Sequence, residues 1–142
     1  MLEIAAVETG HDAFAAALAE RLRKRADALG HPFGGATLAL EARRRGERIG
    51  GVYAEVPFDW VLVKYLAVAD GHRGRGVGSA LMGALEAAGA ARGAVGIFLD
   101  TYGFEAPGFY PRLGYEEIGR LPAPDPARTR VLFTKLLAPA PG

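Results

Sequence analysis

Residues 71–82 read GHRGRGVGSALM, and this stretch decides the fold because it links a predicted strand to a predicted helix. The nearly continuous apolar run Asp59–Val68 before it is typical of a strand buried on both faces. Apolar residues then recur at helical spacing from Val77 onwards, and Arg92-Gly93 predicts the end of that helix. The next run, AVGIFLDT over residues 94–101, predicts a second strand. Strand, glycine loop, helix and strand form a βαβ unit, whose two strands we expect to be parallel neighbours.

Weaker local signals predict the elements on either side of this unit. In chain order they are a first strand over Leu2–Glu8, a helix that ends at Gly30, a hairpin around Arg45-Gly46-Glu47, a short helix within residues 106–114, a strand over residues 115–120 and a final strand over residues 128–137. Leu121–Ala127 is proline-rich and predicts a connector, and APAPG at residues 138–142 predicts a frayed end. No internal repeat is present, so we expect one domain over residues 1–142.

The composition fits an ordinary globular domain and excludes several function classes. The chain has 142 residues, and its 17 basic and 16 acidic side chains give a net charge of +1, which requires no polyanionic partner. The absence of cysteine excludes disulfides, thiolate zinc sites and a cysteine nucleophile. Its three histidines are scattered, so no metal site is expected. The sequence begins without a signal-peptide pattern and has no uncharged run long enough to cross a bilayer, which favours a cytoplasmic location.

The segment Arg73–Ser79 combines three features that favour binding of an anion. Gly74, Gly76 and Gly78 have no Cβ, so a ligand can come close to the main chain. The helix that follows leaves its first amides without intrahelical partners and carries a partial positive charge. The side chains of Arg73 and Arg75 add full positive charges. Together these features predict a site for the pyrophosphate of a nucleotide-containing cofactor, although a flexible turn with solvated arginines has the same composition.

Common phosphate-binding motifs do not fit this loop. A P-loop needs Lys followed by Ser or Thr after its last glycine, and here Val77 follows Gly76. The dinucleotide fingerprint, started at Gly74, would place its third glycine at Ser79.

Two segments carry a family resemblance. YLAVADGHRGRGVGSALM (residues 65–82) resembles the cofactor motif of the GNAT superfamily of acetyl-CoA-dependent N-acetyltransferases, Arg/Gln-x-x-Gly-x-Gly/Ala, with Arg73, Gly76 and Gly78 at its fixed positions. LDTYGFEAPGFYPRLGYEEIG (residues 99–119) resembles the segment that follows in that superfamily, where a strand leads to a short helix with a Phe-Tyr pair. The order and spacing match from about residue 50 to residue 137, and the N-terminal third matches only in its pattern of elements.

The resemblance implies an α/β (α+β) fold, with a GNAT-like mixed, largely antiparallel sheet flanked by helices. The family's strands four and five splay apart to admit the cofactor, and Asp59–Val68 corresponds to strand four. Acetyl-CoA would then be the cosubstrate, with its pantetheine arm along the strand edge and its pyrophosphate on the loop amides. The cofactor-binding residues that the resemblance implies are Leu66, Ala67, Val68, Arg73, Gly74, Arg75, Gly76, Val77, Gly78 and Ser79.

The resemblance also implies how the reaction proceeds. Tyr110 matches the family tyrosine that protonates or hydrogen-bonds the leaving thiolate. The acceptor would be a primary amine of a small molecule or of a peptide or protein, attacking directly in a ternary complex without a metal. Lys64 stands where relatives often carry a carboxylate. The acids near the expected cleft, which the sequence does not distinguish as bases, are Glu55, Asp59, Asp100 and Glu105.

Two other classes of function stay open at this point. A GNAT domain that senses acyl-CoA without turnover is favoured by Gly103, where many members have asparagine, and by Pro111, which removes a helical donor after Tyr110. An adaptor could bind nucleic acid through Arg21–Arg25 and Arg43–Arg45, but interspersed acids favour solvated surfaces there. We therefore expect an enzyme with no nucleic-acid or membrane partner, and the resemblance allows a homodimer.

Overall fold

The chain divides into two units, residues 1–34 and 35–142, and the computed structural model describes residues 1–137. The first unit holds helix α1, His11–Ala28. Gly30 ends it as predicted: at φ +82° its amide donates to Asp27, and the next amide, of His31, donates to Ala26 at 2.9 Å. The single-domain organisation stays a prediction, and the frayed end expected at residues 138–142 lies outside the described residues.

The first strand expected over Leu2–Glu8 is wrong. Residues 1–8 have no regular secondary structure, and their side chains are exposed. Apolar residues alone do not make a strand, because the backbone must also find a ladder partner, and none of the described strand pairs includes this segment.

The second unit is built on a six-stranded sheet of order β1-β2-β3-β4-β6-β5. Its elements are β1 Ala36–Arg44, β2 Glu47–Val56, β3 Trp60–Val68, α2 Val77–Ala91, β4 Gly96–Tyr102, α3 Phe109–Arg112, β5 Glu116–Leu121 and β6 Arg130–Leu136. Short 3₁₀ turns span Asp70–His72 and Pro126–Arg128. The β3–β4 pair is parallel and every other pair is antiparallel, which confirms the predicted βαβ unit and the mixed, largely antiparallel sheet.

The predicted hairpin of β1 and β2 is also confirmed. Arg45 and Gly46 both adopt positive φ, +52° and +79°, as a two-residue turn between twisted strands requires. Glu41 accepts hydrogen bonds from Arg43 and Arg48, each at 2.6 Å, so these arginines belong to a charged pair network on the hairpin surface.

Helix α2 packs closely on one face of this sheet. Its buried stripe includes Leu81, Met82 and Leu85, which meet buried residues of the strands in one core. Glycine permits the close approach, since a Cβ at Gly89 would lie 3.1 Å from a methyl carbon of Val61. The predicted end of α2 is confirmed, with Gly93 at φ +76°.

Strand β3 is not buried on both faces, contrary to the expectation from its apolar run. It pairs with β4 only over Trp60–Leu62 and then continues alone beside β2, so Lys64 and Tyr65 are exposed. The register with β2 shifts between Tyr65 and Val63, which makes Lys64 the extra residue of a β-bulge. The opening between β3 and β4 is the splay that the family resemblance implies.

Candidate active site

The glycine loop folds into an open turn at the start of α2. Gly76 is the N-cap residue of α2 at φ +80°, and Gly74 lies at φ +73°. A Cβ at either position would meet no heavy atom within 4 Å, so the loop surface is open on the side where these bonds point. No side chain caps the start of α2. The first amides of this 15-residue helix are therefore available to an anionic ligand.

The loop arginines are exposed and weakly engaged. The Arg73 guanidinium nitrogen Nη2 lies 3.4 Å from Oδ1 of Asp70. Both side chains are exposed to solvent, so this ion pair holds Arg73 only weakly. Arg75 is exposed as well. His72, directly before the loop, has a buried Nδ1 that no other described residue partners. The loop therefore offers charge and main-chain donors together, which is the combination that a pyrophosphate needs.

The three predicted pantetheine-binding residues lie along the open edge of β3. Leu66, Ala67 and Val68 pair with β2 on one side and come after the last residue that pairs with β4. Val68 also lies beside the loop helix, because its Cγ2 is 3.9 Å from the position of a Cβ on Gly78. The structure thus brings the strand edge and the glycine loop together.

Tyr110, the predicted catalytic residue, lies on α3 in an aromatic cluster. Its ring centroid is 5.0 Å from that of Phe109, 5.7 Å from that of Tyr115 and 5.6 Å from that of Phe133. Burial, with a smaller contribution from the negative charge of Glu105, raises the pKa of Tyr110 to about 12. The phenol is therefore protonated at neutral pH and can donate a hydrogen bond.

Pro111 does not cost α3 a hydrogen bond. It falls in the first turn of the helix, where amides have no intrahelical acceptor in any case. Its carbonyl accepts from Gly114, and the carbonyl of Tyr110 accepts from Leu113 and Tyr115. The donor that Pro111 removes is therefore one that this short helix does not use.

Gly103 has a packing role of its own. A Cβ there would lie 2.9 Å from the carbonyl oxygen of Pro126 and 3.1 Å from that of Ala127. The backbone of the connector between β5 and β6 fills the space that an asparagine side chain would need. At position 103 this connector therefore leaves room for glycine and not for asparagine.

The candidate bases occupy different surroundings. Asp100 accepts two hydrogen bonds from Arg130, at 3.0 and 3.1 Å, and is committed to that pair. Asp59 and Glu105 are exposed. Glu55 is half-buried on β2 and pairs in register with Leu62, the last residue of β3 that contacts β4 through the ladder. Glu55 thus lies on the strand beside β3, level with the point where β3 and β4 part.

A groove of about 770 Å³ opens over strands β1 to β3. Its walls include Tyr53 and Tyr65, whose ring centroids are 6.2 Å apart, and Glu41. It extends to Ala67 and Val68, which are also the open edge of β3. The groove and the cofactor edge therefore share residues.

One cluster beside Tyr110 has no counterpart among the residues that the sequence singled out. Glu86 on α2 accepts a hydrogen bond from the Tyr115 hydroxyl at 3.1 Å and one from Lys135 on β6 at 2.7 Å. Lys135 also donates to the carbonyl of Leu113 at 2.7 Å. The feature of the sequence that could have indicated this cluster is Glu86, which is the one charged residue in the α2 sequence VGSALMGALEAAGAA.

Comparisons with known proteins agree with this geometry. The family model described as an acetyltransferase (GNAT) domain matches residues 34–117. The chain is 39% identical over 94 residues, 66% of its length and 69% of the relative's, to the blasticidin-S acetyltransferase of Streptomyces morookaense.

Solved structures share the fold. A crystal structure of an acetyltransferase from Bacillus cereus aligns with a TM-score of 0.80 at 23% identity, covering 94% of this chain and 98% of that one. An aminoglycoside 6'-N-acetyltransferase complexed with coenzyme A aligns with a TM-score of 0.63 at 22% identity, covering 84% and 81%.

The sheet order and the partial pairing of β3 with β4 are those of an acetyltransferase fold. The chain belongs to the GNAT acetyltransferase family and is an acyltransferase.

Among residues 1–137, none of the helices is both long and apolar enough to cross a membrane. Within the same range, no three His, Cys, Asp or Glu side chains cluster in a way that could hold a metal ion.

Two tyrosines whose pKa values are raised in the fold predict a loss of stability at high pH. Burial, followed by the negative charge of Glu86, raises the pKa of Tyr115, and the pKa of Tyr110 is about 12. Both phenols thus bind protons more tightly in the folded chain than in the unfolded one, where the pKa is about 10. Their contribution to the free energy of unfolding is fully present below pH ~10 and is lost as the pH rises towards and beyond 12.

Urea unfolding at several pH values between 7 and 11.5 measures this effect. Tyr115→Phe removes one titrating group, so its free energy of unfolding should fall less steeply above pH ~10 than that of the wild type. Its value at pH 7 serves as the reference for the lost hydrogen bond to Glu86. Parallel curves for the two proteins would contradict the assignment.

Proposed function

We propose that the chain transfers the acetyl group of acetyl-CoA to a primary amine of a small molecule, by direct attack in a ternary complex. The observation that carries this proposal is the convergence of the open β3 edge, the glycine loop and Tyr110 at one end of the sheet. The coenzyme A in a structural neighbour supports the choice of cofactor.

The residues present fit acetyl-CoA. Amides and arginines of Arg73–Ser79 would hold the pyrophosphate, and charge-assisted hydrogen bonds of about 1.5–3 kcal/mol each would dominate that binding. Unpaired backbone groups of Leu66–Val68 would bind the amides of the pantetheine arm as a neighbouring strand would. When bound, acetyl-CoA supplies the activated thioester.

Tyr110 acts on the leaving thiolate as a hydrogen-bond donor. With a pKa of about 12, complete proton transfer to a thiolate of pKa ~8.5 would be uphill by about 5 kcal/mol. A neutral phenol held in an apolar cluster instead stabilises the negative charge that develops on sulfur, and solvent completes the protonation. The raised pKa thus favours hydrogen bonding over full transfer.

The amine must reach the thioester without its proton. At pH 7 an amine of pKa ~10.4 is about 99.9% protonated, so freeing its lone pair costs roughly 4–5 kcal/mol. We assign this deprotonation to Glu55, directly or through water, because Glu55 is the ladder partner of Leu62, where the pairing of β3 with β4 ends, and Asp100 is committed to Arg130. The groove beside Tyr53 and Tyr65 would admit the acceptor.

The relative that acetylates blasticidin S, by its name, indicates an amine-bearing small molecule as acceptor. Blasticidin S is therefore the first acceptor to try. An aminoglycoside with a free 6'-amine and a lysine-containing peptide extend the panel to other amine classes. The cytoplasmic location, the homodimer and the single-domain organisation stay predictions.

Two measurements test the function. We expect acetyl-CoA and free CoA to raise the melting temperature, and ATP and NAD at equal concentration to leave it unchanged. Thiol release from acetyl-CoA should then rise with at least one amine of the panel. Stabilisation by CoA without release for any amine class would contradict the enzyme and leave a cofactor-binding domain.

A further inference from the structure

Helix α3, which carries Tyr110, is attached to α2 at its N-terminal end. Phe109 begins α3 and contacts the first turn of α2, since a Cβ on Gly78 would lie 3.2 Å from its ring carbon Cζ. Gly78 belongs to the glycine loop Arg73–Ser79, which is the cofactor loop of the proposed function. The start of α3 is therefore seated on the helix that presents the loop amides.

The C-terminal end of α3 is attached to α2 through side chains. Lys135 donates to the carbonyl of Leu113, the C-cap residue of α3, and to Glu86 on α2, both at 2.7 Å. The Tyr115 hydroxyl donates to the other carboxylate oxygen of Glu86 at 3.1 Å. Lys135 also lies 5.6 Å from the centre of the Tyr115 ring. The Glu86 carboxylate thus binds both the Lys135 ammonium group on β6 and the Tyr115 hydroxyl just after α3.

This cluster is partly shielded from water, so its charges interact more strongly than those of exposed pairs. The side chains of Lys135 and Glu86 are 28% and 17% exposed, far less than the exposed surface pairs elsewhere in the chain. A shielded charge left without its partner is costly, so the members of the cluster hold one another in place.

The cluster reaches Tyr110 through both backbone and ring. The carbonyl of Tyr110 accepts from the amides of Leu113 and Tyr115 at 2.9 and 3.1 Å, which closes the short helix. The Tyr115 ring meets the Tyr110 ring edge-on at 5.7 Å. Leu113 and Tyr115 therefore contact Tyr110 directly, so a shift of either residue would disturb the placement of Tyr110.

We propose that Glu86, Lys135 and Tyr115 are positioning residues that fix the Tyr110 hydroxyl relative to the cofactor loop at the start of α2. The inference rests on the proposed function, in which Tyr110 acts on the leaving thiolate. The three residues do not touch the reacting atoms. They act by holding α3 in one place against α2.

Lys135→Met tests this role, because methionine keeps most of the side-chain length and removes the donor. We expect hydrogen exchange of the Leu113 and Tyr115 amides to rise about tenfold or more while the α2 amides keep their protection. Arg120→Met is the matched control, since it removes a cation whose pair with Glu117 stays within β5. Glu86→Gln keeps the shape of the cluster and serves as a second, milder variant if Lys135→Met folds poorly.

Kinetics separate positioning from simple structural support. With blasticidin S as acceptor, and hydroxylamine as a small second acceptor, Lys135→Met should lower kcat about tenfold and leave the Kd of acetyl-CoA within about twofold. In the Tyr110→Phe background, the same change should lower kcat by less than about twofold, because the group that it positions is gone.

The outcomes distinguish the two proposals. Unchanged exchange at Leu113 and Tyr115, which needs no acceptor to measure, overturns the positioning role alone. The full tenfold loss persisting in the Tyr110→Phe background also overturns it, because the cluster would then act independently of Tyr110. A Tyr110→Phe variant as active as the wild type overturns the proposed donor and the positioning role with it.

Discussion

Tyr110→Phe is expected to lower kcat for acetyl transfer by about 10²-fold or more, while acetyl-CoA binds as tightly as before. Phenylalanine keeps the ring that packs between Phe109, Tyr115 and Phe133, so the fold should survive. Only the hydroxyl is lost, and in the proposed reaction it meets a negative charge that exists only as the thioester breaks. An interaction of that kind lowers the barrier without strengthening cofactor binding.

The measurement is the steady-state rate of thiol release with the best acceptor, together with the Kd of acetyl-CoA from calorimetry. Tyr102→Phe is the matched control, because it removes a hydroxyl from a tyrosine at the end of β4 that stacks on Phe104 and does not belong to the Tyr110 aromatic cluster. A loss of less than about threefold in Tyr110→Phe would remove Tyr110 from the reaction.

The fold could be predicted where local chemistry decides it. Gly30 and Gly93 end helices because each supplies the positive φ that the last turn needs. Arg45-Gly46 sets the hairpin register for the same kind of reason. Long-range pairing decides the two features that the sequence did not predict correctly. Leu2–Glu8 is apolar but has no ladder partner among the described strands. Strand β3 is apolar along its length, but its pairing with β4 ends at Leu62.

The candidate site divides in the same way. The glycine loop that we propose for the cofactor could be singled out because its glycines, arginines and helix start are contiguous in the sequence. Glu86 and Lys135 are 49 residues apart, and only the packing of α2 beside β6 brings them together. The four candidate bases could not be ranked from the sequence, because the commitment of Asp100 to Arg130 spans 30 residues.

The largest effect on cofactor binding is expected from Gly76→Asp, which should weaken acetyl-CoA binding by at least about 10²-fold. Two like charges ~4 Å apart at an effective dielectric constant of ~20 repel by about 4 kcal/mol, equivalent to about 10³-fold in affinity. Arg73 and Arg75 offset part of this repulsion. A Cβ at Gly76 meets no atom within 4 Å, so the substitution itself does not collide with the protein.

The control for this variant must separate charge from backbone strain, because Gly76 lies at φ +80°. Gly76→Asn has almost the same shape as Gly76→Asp, tolerates positive φ and carries no charge. Gly46→Asp places a carboxylate on a backbone position of similar strain, at φ +79° in the hairpin and far from the loop in the sequence. This variant should bind acetyl-CoA like the wild type. Calorimetry should therefore rank the affinities as wild type and Gly46→Asp first, Gly76→Asn next and Gly76→Asp last. Equal affinity of Gly76→Asp and the wild type, with both folded, would place the pyrophosphate elsewhere.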